Sequence, residues 1–514
     1  MWTSTGRVPR RESENNFQGS IMRTRNSDQA RTVVVLGGGP TGLTAAMLLA
    51  AEGVRVTVLD RDGADPGGGA EGVWDRWRRP GVNQFRHPHI MLPGAYQLLV
   101  RELPQAVVEL KTLGAVSHNM LGGAFDLPTI GGRRPGDERF ETLSARRPVI
   151  GAGLGIAAAE TAGITVRRGT SVVGLLTEAG QGTRVTGVRT SEGEGIDADL
   201  VVDALGRNSP VAKMLTELGL PAPIRQKDEV VFLAYSRYFR SPDGSMPAQA
   251  PWPLEHHNSL GITSVPGDAG TWSLALLVSG RDRAMRGLSD PAAWQRAAAL
   301  YPDMAHWVTY GEPITGVLAM AGMESRYRRF MVDGRPVATG RLSIGDAWAT
   351  TNPTFGTGIT MGMTHAALLR DVLREAGFED LEKLALRFDE VTEATRTPVQ
   401  QASAAWDWHR IAQIDGDINS VPDETDDQDW NFRQAIEVAK LLDPGVLRAF
   451  GEVGSMLSSP EQALATPGLV DRIIELGAGT APYPSTGPCR TALLTTIGAS
   501  KCVSKPMASN SRCR

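Results

Sequence analysis

The rhythm of apolar positions changes three times along this chain. Near its start, Val33-Val34-Val35-Leu36 is an unbroken apolar run. Such a run predicts a strand buried on both faces, as in a parallel sheet. A glycine turn follows. Residues 43–51 are then small, apolar and good helix formers, which predicts a helix. Residues 54–59 return to a valine-rich strand. Arg146-Arg147-Pro148 opens a predicted helix through Glu160, followed by β-rich runs at 163–176 and 184–190 and a buried strand at 199–203.

The second rhythm lacks helices. Strands are predicted at 230–240, 258–264 and 271–278, separated by Pro, Gly and Asp turn signals. This reads as a separate sheet. Asp290-Pro291 then opens a helix through 300, with proline at the first helical position. A strand at 341–347, a glycine loop at 352–358 and a helix from Ile359 to about Arg374 repeat the opening motif. The third rhythm, 381–477, is mainly helical, with a break near 415–427. Residues 64–72 read as an irregular loop.

The opening turn carries chemistry. Gly37, Gly39 and Gly42 stand at G-x-G-x-x-G spacing, with Pro40 and Thr41 inside it. The first glycine permits the tight turn, the second lets backbone approach a pyrophosphate, and the third lets helix pack on strand. Free N–H groups at the helix start favour the phosphates. Asp60 ends the next strand, about 20 residues on, where the fingerprint places the acid that binds ribose hydroxyls. The strand ending at Asp203 and Gly206 is a second approach to a dinucleotide, since glycine removes the Cβ that would block it.

Composition narrows the class. The chain has 514 residues and a net charge of −4, which argues against a nucleic-acid surface. Its three cysteines, Cys489, Cys502 and Cys513, form no disulfide framework or metal-ligand spacing, so no metal is expected. Residues 1–30 are polar and read as a disordered leader rather than a signal peptide. No run approaches the roughly 18 apolar residues of a membrane span. A cytoplasmic location without a membrane span is the expectation.

Three blocks therefore stand in order: 37–42 with Asp60, 199–209, and 345–358. Together they resemble the FAD-dependent monooxygenases of the aromatic-hydroxylase type, and their relatives the flavin halogenases and geranylgeranyl reductases. Residues 81–89 and Arg147 look like matching segments of that group. The resemblance implies an α/β fold: a Rossmann-like FAD-binding domain, an interleaved β-sheet substrate domain and a helical C-terminal region. The boundaries expected are a leader at 1–30, the FAD-binding domain at 31–225 and 331–380, the substrate domain at 226–330, the helical region at 381–480 and a tail at 481–514.

The resemblance also implies roles. Gly37, Gly39, Pro40, Thr41 and Gly42 would hold the ADP pyrophosphate, with Asp60, Arg61 and Arg147 around the nucleotide. Asp203 and Gly206 belong to the middle block, where Leu205 replaces a polar residue usual in the family. Gly345-Asp346 would meet the ribityl chain, Pro353 would border the isoalloxazine, and Gly356, Thr357, Gly358 and Ile359 would approach its pyrimidine edge. The implied reaction is hydroxylation or epoxidation of a small hydrophobic molecule through a flavin C4a-hydroperoxide, in a secondary-metabolism setting. NADPH or NADH would supply electrons, directly or through a flavin reductase.

Arg86, His87 and Tyr235 are the catalytic candidates; Arg237, Trp252, His256 and His257 are pocket candidates. Halogenation is a rival reading, although the only Trp-x-Trp, Trp406-Asp407-Trp408, follows the Gly-Asp block and lacks the Ile-Pro of that group. Double-bond reduction or dehydrogenation is another. A flavin-binding redox partner is the non-enzymatic alternative.

Overall fold

The structure is a computed structural model that describes residues 30–180, 182–229, 232–421, 425–478 and 487–499. The expected leader, except for Ala30, lies outside the described residues. Strand β1 (Thr32–Leu36) leads through helix α1 (Pro40–Ala51) to β2 (Arg55–Asp60). The strands pair in parallel, with Val33 opposite Val56 and Leu36 opposite Leu59. Helix α1 is apolar nearly all round and almost wholly buried, as such a helix must be. The stretch expected as an irregular loop instead contains a short helix, α2 (Gly69–Arg76). Val73 and Trp74 bury one side of it, an apolar pair that the surrounding glycines obscure in the sequence.

Helix α3 (Arg147–Glu160) and strands β3 (Ile164–Arg168) and β4 (Leu200–Asp203) follow. Between those strands, an antiparallel three-stranded sheet covers one face of the parallel sheet. Val34 and Leu36 point into that cover with Val185 and Val188. Val33 and Val35 face the helices, packing with Leu43, Leu48 and Leu154. Burial on both faces is what the continuous valine run demanded.

The second sheet contains β5 (Phe232–Arg240), β6 (Leu254–His256), β7 (Gly261–Pro266) and β8 (Thr271–Ser279), in the order β6-β7-β8-β5. Tyr235 lies opposite Leu276 and Ser236 opposite Ala275. On the outer face Tyr235, Phe239 and Trp272 pack against α4 (Pro291–Ala298) through Trp294. Asp290 caps α4 by accepting from the Ala293 amide. Strand β9 (Leu318–Met323) pairs with the free edge of β5.

The chain then returns to the first sheet. Strand β10 (Arg341–Ser343) pairs in parallel with β4, completing the order β10-β4-β1-β2-β3. Helix α5 (Thr357–Ala376) packs along α1. Among the C-terminal helices, α6 (Thr397–Asn419) turns Gln400, Ser403, Asp407, Arg410 and Ile414 inward. The expected tail is not all irregular: α7 (Arg490–Thr496) buries Leu493, and Ile497 just after it, beside Met285 and Trp294. Four-residue spacing of two apolar side chains on one helical face explains it. Among the described residues no helix is long and apolar enough to cross a membrane.

Candidate functional site

The three sequence blocks meet in space. Gly37 has φ +104°, and a Cβ there would lie 2.5 Å from the Ala204 carbonyl oxygen of the middle block. A Cβ on Gly206 would come 4.0 Å from the Asp346 Cβ. Thr41 sits against the last block: Cβ atoms on Gly345 and Gly362 would lie 2.9 and 2.1 Å from its side chain. Early, middle and late loops thus share one locus at the C-terminal ends of β1, β4 and β10, where open parallel sheets take ligands.

The glycines of the early turn are small for different reasons. A Cβ on Gly42 would fall 2.0 Å from the Gly37 carbonyl oxygen, so helix and turn pack too closely for a side chain. Gly39 has ordinary extended dihedrals, φ −85° and ψ 174°. A Cβ there would meet nothing within 4 Å. Gly358, in the first turn of α5, has the same open space. No atom of the described residues explains the smallness of these two residues. A group lying against the starts of α1 and α5 would.

Charge supports an anionic ligand. Arg147 begins α3 and is 7% exposed, and its Nη1 is buried without a hydrogen-bond partner among the described residues. Burial and the neighbouring Arg79 pull its pKa down to about 9. Arg79 was not expected from sequence; its signal was the arginine-rich stretch after Asp60. Arg79 is ion-paired to both Asp60 and Asp62 and donates to the Gly38 carbonyl at 3.0 Å. Asp60, placed by its motif, is therefore held by an arginine beside the turn. Arg61 is exposed, with its guanidinium over Gly81.

At the late block, Asp346 is desolvated and its pKa is pushed up to about 6, against the opposing pull of Arg207, Arg147 and Arg328. Asp203 is spent inside the protein. Its carboxylate accepts from the Leu205 amide and the Ser209 and Ser343 hydroxyls, bracing the middle loop against β10. Pro353 is exposed between buried Asn352 and Thr354. Gly356 takes φ +66° at the cap of α5, and Thr357 pairs with Thr351 through their hydroxyls at 3.0 Å. Ile359 is buried behind them.

The catalytic candidates separate. The His87 Nδ1 lies 3.1 Å from the Ser236 Oγ on the inner face of β5, and burial lowers its pKa to about 4. His89 hydrogen-bonds the His87 carbonyl, and the Arg147 charge acts on it. Arg86 stacks over Trp74 at 4.5 Å and donates to the Trp77 carbonyl. Tyr235 and Arg237 occupy the outer face of β5, against Trp294. They stand on the opposite side of the strand from Ser236 because strand side chains alternate. His257 packs tilted against Tyr301, His256 tilted against Trp406, and Trp252 edge-on against Phe450.

The inner face of the second sheet was missed. It carries Ala234, Ser236, Ala275 and Thr263 in register, while Phe232 and Leu277 join Ile90 and Trp406 in the adjoining core. The small residues Ala234 and Ser236 sit mid-strand between Phe232 and Tyr238 on the inner face, while Leu233, Tyr235, Arg237 and Phe239 take the outer one. Strand alternation in the sequence held this signal. Which face looked inward was not given.

These residues fit FAD. An open glycine at each helix start, an unpartnered buried arginine at the nucleotide end and a desolvated aspartate at the late block suit a long anionic dinucleotide. Comparison with known proteins agrees. Residues 156–380 match the family described as FAD binding domain, and residues 32–124 match that described as FAD dependent oxidoreductase. Protein Rv3254 of Mycobacterium tuberculosis is 31% identical over 222 residues, which are 41% of this chain and 44% of that one. The match therefore spans less than half the length of that relative.

Among solved structures, PqsL from Pseudomonas aeruginosa, described as a probable FAD-dependent monooxygenase, is 16% identical. It aligns at TM-score 0.54, covering 75% of this chain and 97% of that one. The flavin-dependent brominase Bmp2 is 15% identical at TM-score 0.52, covering 92% and 100%. At such identities the likeness is one of fold. The chain carries the FAD-binding fold of flavin-dependent oxidoreductases.

Proposed function

We propose that this chain, built around an FAD-binding domain, is an FAD-dependent monooxygenase that hydroxylates or epoxidises a small hydrophobic molecule. The observation that carries the reading is the meeting of the three loop blocks beside a sheet face that carries small side chains mid-strand. The nucleotide end of FAD would be held by the Gly39 backbone, the start of α1 and Arg147, with Asp60 and Arg79 at the ribose. Asp346 would hold the ribityl chain. Pro353 and the amides from Gly356 to Ile359 would hold the ring.

When bound, FAD supplies redox and oxygen-activating chemistry; the chain supplies orientation and exclusion of water. The start of α5 presents N–H groups that stabilise negative charge developing nearby. The buried small residues Ala234, Ser236 and Ala275 on the inner face of β5 and β8 would border an apolar substrate and exclude water from it. His87 is neutral at pH 7 because burial lowers its pKa. Its Nδ1 is committed to Ser236, which fixes the ring and leaves Nε2 as the atom able to exchange a proton. NADPH or NADH is the proposed donor, acting directly or through a reductase, and the cytoplasm the proposed location.

The test is a visible spectrum of the purified protein, then NADPH and NADH oxidation under air with aromatic and terpenoid compounds. The expected result is bound FAD, substrate-stimulated oxidation and a product carrying one added oxygen atom. Colourless protein that takes up no FAD would overturn the reading. Product formation dependent on chloride or bromide would favour halogenation, and anaerobic saturation of a double bond would favour reduction. Tight FAD without substrate-dependent turnover would favour a redox partner.

A further inference from the structure

The late turn is tied to a helix far away in sequence. Asp407, on the inward face of α6, is 1% exposed. Its Oδ1 accepts from the Asn352 Nδ2 at 2.8 Å, and its Oδ2 from the Ser325 Oγ at 3.3 Å. The Ser325 hydroxyl also accepts from the Asn352 amide at 3.3 Å. Asn352 is 0% exposed, and its own Oδ1 accepts from the Thr354 amide and hydroxyl at 3.1 and 2.8 Å. With both ends of the amide committed, its orientation is fixed by the network. Next to Asp407, Trp406 packs edge-on against Phe355 of the same turn, 4.7 Å between centroids.

Both hydrogen-bond partners of Asp407 are uncharged, and the charge acting on it, Asp228, is of like sign. A carboxyl in such a place costs stability unless its geometry is needed. Other charged groups nearby are already engaged. Glu324, beside Ser325, pairs with Arg207, Arg326 and Lys227. Arg410, one turn along α6, donates to the His257 and Leu260 carbonyls. His256, packed tilted against Trp406, is held neutral by burial. A cavity of about 130 Å³ lined by Gln226, Asp228, Ser325, Gln400, Gln401 and Ala404 reaches Ser325.

We propose that Asp407 is a positioning residue for the ring end of the cofactor: through Asn352 it holds the turn that opens α5, making the C-terminal helix α6 part of the cofactor site. The proposal rests on the FAD reading above. Asp407 acts on the turn and not on the nucleotide end, so it discriminates between ligands that have a flavin ring and those that lack one. Burial pushes its carboxyl up to about 7. Ionisation near neutrality then turns the Asn352 contact into a charge-assisted one.

The experiment compares FAD and ADP binding to the full-length apo-protein, wild type and variants, between pH 5.5 and 8.5. Asp407→Ala is expected to weaken FAD about tenfold, the scale of one lost buried hydrogen bond, and to leave ADP unchanged. Asp407→Asn retains an acceptor for Asn352 and is expected to restore the FAD-to-ADP ratio, while abolishing the change in the bound-flavin spectrum between pH 6 and 8. Asn352→Asp is a second variant of nearly equal volume. It sets two acids together and is expected to lose FAD selectively at pH 8.5 and recover it at pH 5.5.

Equal losses of FAD and ADP across these variants would mean a general structural role and overturn the proposal. Unchanged FAD affinity in Asp407→Ala would do the same. Wild-type protein that binds ADP but not FAD, or neither ligand, would overturn the FAD reading itself, a result separable from both.

Discussion

The two glycine turns do similar work and are held in different ways. The early turn takes its shape from its own glycines, with Arg79 donating to the Gly38 carbonyl from 41 residues on. Gly37 takes the positive φ, Gly42 lets α1 pack on the turn, and the Gly39 carbonyl accepts from the Leu43 amide to start the helix. The late turn also has a positive-φ glycine, Gly356. Its entry is fixed by Asn352, which is fixed in turn by a carboxylate 55 residues later. A phosphate site needs only backbone amides and a helix start, which local sequence supplies. A site for a broad ring needs walls, and walls come from other parts of the chain.

The comparison can be broken most severely at Gly42. Gly42→Val would drive side-chain atoms into the Gly37 carbonyl. Overpacking at that point should cost more than about 4 kcal/mol, giving insoluble protein or a collapsed urea midpoint. Gly39→Ala sharpens the contrast. Its dihedrals suit alanine and its surroundings are open, so urea stability should stay within about 0.5 kcal/mol of wild type. FAD and ADP affinities should nonetheless fall together, by about a hundredfold, an expectation equal to about 2.8 kcal/mol of binding. Intact binding in this variant would contradict the pose.

Arg147→Met comes next. It removes a buried cation that makes no ion pair among the described residues and on which Arg79 and Asp346 act in opposite directions. Apo-protein stability should hold or rise, since unpaired buried charge is costly. FAD affinity should drop by about tenfold, the scale of one charge-assisted hydrogen bond, as read by fluorescence titration.

The last test is of pH dependence. Burial holds the Asp407 carboxyl at about 7, whereas an unfolded aspartate ionises near about 4. Between those values the folded state keeps a proton that the unfolded chain has lost. The stability contribution of this group therefore falls as pH rises through that window. Asp407→Asn should flatten the slope of urea midpoint against pH between about 4 and 7. An unaltered slope would place the ionisation elsewhere.

Much of the early turn was legible in the chain. A valine run, three spaced glycines and a terminal aspartate are local features, and the fold uses them locally. Arg79 was not legible as a partner of Asp60, because an arginine-rich stretch does not say which guanidinium turns inward. The second sheet was legible as strands, but Tyr235 and Arg237, conspicuous by type, lie on its outer face. The less conspicuous Ala234 and Ser236 lie inside. Helix α2 and helix α7 were hidden by glycines and by a polar C-terminal context.

By itself the sequence determined most of the order of strands and helices and the two glycine turns. Those follow from backbone sterics and side-chain periodicity, which act over a few residues. Only the tertiary structure decided which face of β5 looks toward the cofactor site, that the three blocks converge, and that Asp407 reaches Asn352. These depend on how sheets and helices pack, and packing joins residues that no local pattern links.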